Sequence, residues 1–459
     1  MKNEKRSQFF KLSFDVLDRY VISATLRRDG TDKFFPGKKY ALFPSFSAAW
    51  KISNEKFLKD VFWINLLKLR ASYGKTGQDN LGSSLYGVYE PSGFKVGFND
   101  NGLFYVPCVS MGTNYPDVSW QKTIMKNIGL DFYLFKNRVS GSIDVFRNDV
   151  TSLLGYASTS PLAIYPTRPI NGGHFYRQGW EIMFDTKNMV GDFNWNTQLT
   201  FSKTNSFWKE RMPNYDYRSY QKRNKEPMNA YYYYKMTGII NADRSNMPES
   251  QKTLQAEAQL PGCPIIDDKN NDGKIDENDI YLKDNTPDIY IGFGNTFTYK
   301  NWEFSFFMYG QFGILKSNIA YRAALPGPLA VDYPENTNKY AYLLWNSQTN
   351  PNGTRPGLAV DRMGALPGGA GVNIDMENAS FVRMRNITLS YNFRDKILGK
   401  LKKYVKGIKV YADVQNPFVI SKFKGFDPEI YTGGGGANNA SRGEYPQART
   451  FTLGTNIVF

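Results

Sequence analysis

The sequence predicts an all-β fold, a transmembrane antiparallel β-barrel to which this chain contributes about 13 strands, and three observations carry that prediction. Apolar and polar residues alternate with period two in segment after segment, and the apolar face is largely aromatic. Short and long connections between these segments alternate strictly. No stretch approaches the ~18 uninterrupted apolar residues that a membrane-spanning helix requires.

Composition agrees. Aromatics make up 16% of the 459 residues, with 33 Phe, 31 Tyr and 40 Gly, a mixture that suits many strands. The mean hydropathy of −0.49 does not separate a soluble protein from a barrel, because barrel strands alternate lipid-facing with lumen-facing residues. The formal charge of +15 comes from scattered Lys and Arg without a nucleic-acid motif, so nucleic acid is not the expected partner. Anionic lipid headgroups or anionic solutes account for it better. Cys108 and Cys263 are too few for a disulfide framework; a pair and two free thiols are both open.

In chain order, Phe10, Leu12, Phe14 and Val16 share a face and are followed by Tyr20, Ile22, Ala24 and Leu26. Ile128, Leu130, Phe132 and Leu134 lead through a tight Lys136-Asn137 turn to Val139, Ile143 and Val145. Phe193, Trp195, Leu199 and Phe201 fall on one face with Thr197, opposite Asn194, Asn196, Gln198 and Thr200. Phe297 and Tyr299 precede a Lys300-Asn301 turn and then Trp302, Phe304, Phe306 and Met308. Ile387, Leu389, Tyr391 and Phe393 alternate with Asn386, Thr388, Ser390 and Asn392.

Strands are predicted at 8–16, 19–28, 40–52, 63–76, 122–135, 138–149, 176–187, 192–206, 289–299, 302–312, 381–393, 407–416 and 447–459. The connections at 29–39, 77–121, 150–175, 207–288, 313–380 and 417–446 are mostly long and rich in Gly, Pro, Asn and Asp, as extracellular loops are. Tyr231 to Ile240 also reads as a strand and is taken as local structure inside the 207–288 excursion. Thirteen is odd, and an open sheet edge cannot sit in lipid. The amino terminus has no apolar signal-peptide core. Upstream strands are therefore expected, and the sequence is expected to begin partway through a barrel.

Several stretches, taken in order, resemble the SusC/RagA group of TonB-dependent transporters: RYVISATLRRDGTDKF at 19–34, FPSFSAAWKISNEKFL at 43–58, LKLRASYGKTGQDNLG at 67–82, WQKTIMKNIGLDFYLFKNRVSGSIDVF at 120–146, FVRMRNITLSYNF at 381–393, VYADVQNPFVISKFKGFDPEI at 410–430 and YPQARTFTLGTNIVF at 445–459. Gln121 departs from the Glu usual after the family's Trp. The resemblance implies the carboxy-terminal portion of a 22-stranded outer-membrane barrel, residues 1–459, with the plug domain absent. It further implies TonB–ExbB–ExbD as energy source through a missing amino-terminal region, a SusD-like surface lipoprotein as lid, and import of oligosaccharide or, alternatively, peptide. No enzyme activity is expected. The rival reading is a secreted or surface β-rich glycan-binding or structural protein.

Three local features carry site expectations. DKNNDGKIDEND at 268–279 fits an acidic calcium loop, with Asp268, Asn270 and Asp272 at positions 1, 3 and 5 and Gly273 at the turn. Lys274 offers its carbonyl, and Asp276 and Asp279 stand at positions 9 and 12; the other reading is an acidic turn without metal. Tyr231, Tyr232, Tyr233 and Tyr234 are candidates for stacking on sugar rings, against strand packing as the plainer account. Phe451, Leu453, Ile457 and the terminal Phe459 resemble a signal for the barrel-assembly machinery. His174, the one histidine, reads as an exposed loop residue, and no hydrolase, zinc-protease or P-loop motif occurs.

Overall fold

Thirteen strands form one antiparallel sheet whose order in space is the order in the chain. They are β1 (Lys5–Val16), β2 (Tyr20–Thr31), β3 (Tyr40–Lys51), β4 (Ile64–Gln78), β5 (Gln121–Leu134), β6 (Val139–Ser158) and β7 (Thr167–Met189). Then come β8 (Phe193–Glu210), β9 (Ile289–Tyr299), β10 (Trp302–Phe312), β11 (Phe381–Phe393), β12 (Gly407–Gln415) and β13 (Thr450–Val458). A short strand, Val419–Ser421, also pairs with β11. The computed structural model describes residues 4–81, 85, 89–92, 98–99, 102–103, 108–111, 114–159, 167–215, 217–221, 225–318, 342–357, 360, 363–393, 399, 404–425, 427–429 and 446–459. Much of the long connections at 77–121, 313–380 and 417–446 lies outside the described residues.

Each predicted strand corresponds to one wall strand. The largest difference is at 150–175, read from sequence as a loop. There β6 continues to Ser158 and β7 begins at Thr167, so the connection is a tall hairpin.

Register explains why alternation was so clear. Tyr20, Trp50, Leu69, Leu130, Ile143, Ile182, Phe201 and Ile291 occupy one transverse row through successive Cα partners. The adjacent row on the other face runs Arg70, Gly129, Asp144, Glu181, Ser202. One face is thus apolar across the sheet and the other polar. The apolar side chains stand open, with Phe14 58%, Ile128 62% and Val145 58% exposed. In water such a face is unfavourable by roughly 25 cal/mol per Å² of apolar surface left uncovered, a term that hydrocarbon removes.

Toward the short-turn end of the apolar face, one polar pair is satisfied locally. Thr197 and Asn295 are direct partners, and both Trp195 Nε1 (2.6 Å) and Thr197 Oγ1 (2.7 Å) donate to Asn295 Oδ1. The short-turn end of this face is aromatic: Trp195 stacks on Phe297 at 5.8 Å, and Trp302 meets Tyr391 edge-on at 4.8 Å. The tight turn before β6 is left-handed at Phe135, Lys136 and Asn137, with φ of 54°, 58° and 60°.

The opposite end carries the long excursions, which fold on each other. Ala230–Tyr234 pairs antiparallel with Tyr281–Asp284 and parallel with Gly371–Val372. Met236–Ile239 pairs with Pro264–Ile266. Their shared core includes Tyr234, Ile240, Ile266, Ile280 and Leu366, drawn from two separate connections. The strand read at 231–240 therefore lies in this cap and not in the wall. A second cluster, with Phe34, Phe43, Leu81, Val118 and Trp120, ties the β2–β3 connection to the β4–β5 connection.

Candidate functional site

The polar face is held by charge pairs between strands. Arg70 bridges Asp131 (Nε to Oδ1, 2.9 Å) and Asp144 (Nη2 to Oδ2, 3.0 Å), and Lys68 Nζ reaches Asp131 Oδ2 at 3.0 Å. Gly129 makes the cluster possible: a Cβ there would lie 2.5 Å from Asp144 Oδ1 and 2.8 Å from Arg70 Nη2. Toward the short-turn end, a cavity of about 470 Å³ is lined by Ser140, Asp185, Asn196, Gln198, Thr296 and Asn386. These groups can hydrogen-bond a polar surface or solute.

In the cap the tyrosine run splits by strand alternation. Tyr232 packs edge-on to Tyr220 at 5.2 Å against the core, and burial beside Glu226 pushes its hydroxyl pKa up to about 12. Tyr234 is fully buried, and its hydroxyl donates toward the carbonyls of Asp276 (2.9 Å) and Pro367 (3.0 Å). Its expected contact with sugar is corrected: that side chain is core, and burial raises its pKa strongly. Tyr231 and Tyr233 lie on the other face, stacked at 5.1 Å, and Tyr233 continues onto Tyr281 at 5.8 Å. The ladder is flanked by Lys235 and Lys269, whose ammonium groups lie 5.5 and 5.1 Å from the Tyr281 ring. Tyr281 donates to Asp267 at 2.6 Å, and Lys235 pairs with Asp267 at 3.1 Å. The Tyr281 hydrogen bond and then Lys235 hold the Asp267 carboxyl below its usual range.

The acidic loop at 268–279 fits a calcium loop in its first half. Asn271 and Gly273 are left-handed (φ 56° and 81°), and Asp268 accepts the amides of Asp272 (3.2 Å) and Gly273 (2.9 Å). Asp272 accepts the Lys274 amide at 3.0 Å, which gathers the side chains of Asp268, Asn270 and Asp272 into one turn. Ile275 anchors this turn in the cap core. The second half is engaged with backbone. Asp276 caps the Asn278 amide at 2.7 Å, and buried Asp279 accepts the amides of Lys269 (2.9 Å) and Asp276 (2.8 Å). Among the described residues no three His, Cys, Asp or Glu side chains converge as a metal set. Carboxylate oxygens that accept one amide each retain a lone pair, so the fit rests on Asp268, Asn270, Asp272 and the Lys274 carbonyl.

Phe451, Leu453 and Ile457 pair with Val414, Ala412 and Ile408 and extend the apolar face, and Phe459 follows β13 at 75% exposure. His174 is not in a loop. It sits in β7 opposite Thr151, mostly buried, with Nε2 3.5 Å from Asp149 Oδ1. Cys263 is a buried free thiol whose pKa burial pushes up to about 11; the Cys108 side chain lies outside the described residues.

Sequence reading missed one buried ionic group. Arg383, on β11, pairs with Asp427 at 2.5 Å and Glu429 at 2.7 Å, and the Tyr309 hydroxyl donates to Glu429. It pins residues 427–429 against the wall. An Arg interrupting the apolar start of β11 and the later FDPEI were its only signals.

A family model described as "TonB dependent receptor-like, beta-barrel" matches residues 2–417. The chain is 29% identical over 481 residues to the TonB-dependent receptor SusC of Bacteroides thetaiotaomicron, covering 100% of this chain and 44% of that protein. It is 27% identical over 489 residues to the TonB-dependent receptor P3 of Formosa agariphila, covering 100% and 46%. The chain thus spans about half the length of the curated relatives it matches. Among solved structures it is similar to the RagAB peptide importer in its "closed-closed" state, with a TM-score of 0.76, 20% identity and coverage of 99% of this chain and 47% of that chain.

Proposed function

Since this chain belongs to the TonB-dependent receptor-like β-barrel family, of SusC/RagA type and at home in the bacterial outer membrane, we propose that its thirteen strands wall part of a nutrient importer. The observation that carries this reading is the sorting of the sheet into an apolar and an ion-paired face, in register from β1 to β13. A lipid-facing wall around an aqueous lumen requires that sorting.

Oligosaccharide is the proposed cargo. The Tyr231–Tyr233–Tyr281 ladder supports it, because flat stacked rings flanked by polar groups suit sugar faces. Peptide is the second reading, since the RagAB structures bear that description. Energy from TonB–ExbB–ExbD and a SusD-like lipoprotein lid belong to the same proposal. The test is uptake of labelled oligosaccharides and peptides by the host with and without this gene. Lost oligosaccharide uptake that also depends on TonB supports the reading, lost peptide uptake shifts the cargo, and no change in either overturns it.

Two narrower proposals go with it. Calcium would be held by Asp268, Asn270, Asp272 and the Lys274 carbonyl, and would stiffen the cap without chemistry of its own. Protease cutting within 268–279 should then rise with EDTA, and indifference to EDTA would count against the ion. The face of Phe451, Leu453 and Ile457, ending in Phe459, would be read by the barrel-assembly machinery. Deleting Phe459 should lower the amount of heat-modifiable barrel in the outer membrane, and an unchanged amount would remove the idea.

A further inference from the structure

We propose that the apolar face carries a site for a phosphorylated glycolipid of the outer leaflet, with Lys126, Arg147 and Lys203 as its cationic rim. Three observations converge on it.

The first is a sorting of charge. Across the thirteen strands, alternation and register put two carboxylates, Asp149 and Glu210, on the apolar face, neither nearer the short-turn end than the eleventh residue of its strand. The polar face holds Asp15, Asp131, Asp144, Glu181, Glu303 and Asp413, among others. Cations are not excluded in the same way: Arg6, Arg28, Lys75, Lys126, Arg147 and Lys203 all stand on the apolar face.

The second is their height. Arg28, Lys126 and Arg147 are each the ninth residue counted from the short-turn end of their strand, and Arg6 and Lys203 the eleventh. A tilted strand crosses the hydrocarbon in about 9–11 residues. The basic row therefore lies where the acyl chains end and the headgroups begin, on the long-loop side only.

The third is a groove. Lys126, Arg147 and Lys203 border a recess of about 1010 Å³ on this face, floored by Ala48 and Ala71 and flanked by Phe46, Ile128 and Trp180. Small residues between large ones make room for acyl chains. Lys126 and Arg147 are direct cross-strand partners of like charge, and with Lys203 they outnumber Asp149, the carboxylate that faces Arg147 and, more weakly, Lys126. Asp149 clamps Arg147 through two bonds of 3.2 Å, and the guanidinium lies 4.2 Å from the Tyr176 ring, which fixes its orientation. Among the described residues neither Lys126 nor Lys203 makes a salt bridge. A lipid phosphate supplies the missing negative charge, and its chains match the apolar floor, which free phosphate does not.

The inference rests on the barrel reading, and its test keeps the two apart. The protein is extracted in detergent from the host outer membrane, and native mass spectrometry follows binding of phosphorylated lipid A and of the same lipid after phosphatase treatment. Wild type should bind the phosphorylated form roughly twentyfold more tightly than Lys126→Gln/Lys203→Gln, two basic contacts each worth about fivefold. The dephosphorylated lipid should not distinguish the two proteins. Equal binding of the phosphorylated lipid by both, or its full displacement by equimolar inorganic phosphate, overturns the proposal. Absence of wild type from the outer membrane overturns the barrel reading itself, and this site with it.

Discussion

At the scale of single residues, the buried ionic group at Arg383 has the largest local consequence. Asp427 also accepts the amides of Glu429 (2.8 Å) and Gln447 (3.2 Å), so one carboxylate organises the foot of the β12–β13 connection. Removing one partner of a buried pair leaves the other charge uncompensated, at a cost of about 3–5 kcal/mol. Arg383→Met should therefore release residues 427–429, read as faster amide exchange there with the wall strands unchanged. Arg383→Met/Asp427→Leu should recover part of the loss, and equal exchange in wild type and single variant would deny the anchor. The Asp267–Tyr281 pair makes a second prediction, about pH. Asp267 has a lowered folded pKa, so its contribution is present above the unfolded value near ~3.9 and fades as pH falls through the folded one. Tyr281 is raised to about 12, mainly by its hydrogen bond to Asp267, so its contribution is whole below the unfolded value of ~10 and is lost as pH rises through 12. The cap should be most resistant to protease between these limits. Tyr281→Phe should flatten the alkaline limb, and an unaltered limb in that variant would assign it to another group.

At the scale of elements, glycines mark where strands approach too closely for a side chain. Gly141 lies between Phe132 and Phe184 on the apolar row, whose rings meet at 5.8 Å. A Cβ at Gly141 would fall 2.2 Å from the Met183 carbonyl oxygen, and backbone cannot step aside as a side chain can. Gly141→Ala should cost about 1–3 kcal/mol, seen as a lower unfolding midpoint of the extracted barrel. A midpoint equal to wild type would mean that the β6–β7 hairpin relaxes freely. The same elements show what sequence could reveal. Wall strands were legible because lipid on one side and water on the other impose period two over every crossing. The tall part of β6 and β7 was not, since beyond the hydrocarbon both faces meet water and alternation fades; this is why His174 passed for a loop residue. The cap was legible only as a strand-like run at 231–240. Its core unites residues such as Ile266 and Leu366 from different connections, and no local period encodes that union.

At the scale of the whole molecule, the direction of the edge strands decides how the wall closes. Neighbours along the path are antiparallel, so β1 and β13, separated by eleven strands, run the same way. Direct closure would require a parallel seam, whereas bacterial barrels close antiparallel with an even strand count. Leaving either edge unpaired in hydrocarbon costs several kcal/mol per backbone group. Both edges also present apolar side chains, with Phe10 62% and Leu453 80% exposed. Further strands between β1 and β13 satisfy both constraints, and relatives about twice this length have the residues to supply them. The prediction is that cysteines introduced as Leu12→Cys and Leu453→Cys, at mid-height of the two edges, will not cross-link with a short bifunctional reagent in host outer membranes. A control pair at Leu12 and Ala24, direct partners in β1 and β2, should cross-link readily under the same conditions. Efficient coupling of the first pair would show the edges meeting, and the wall would then be a thirteen-stranded barrel closed by a parallel seam.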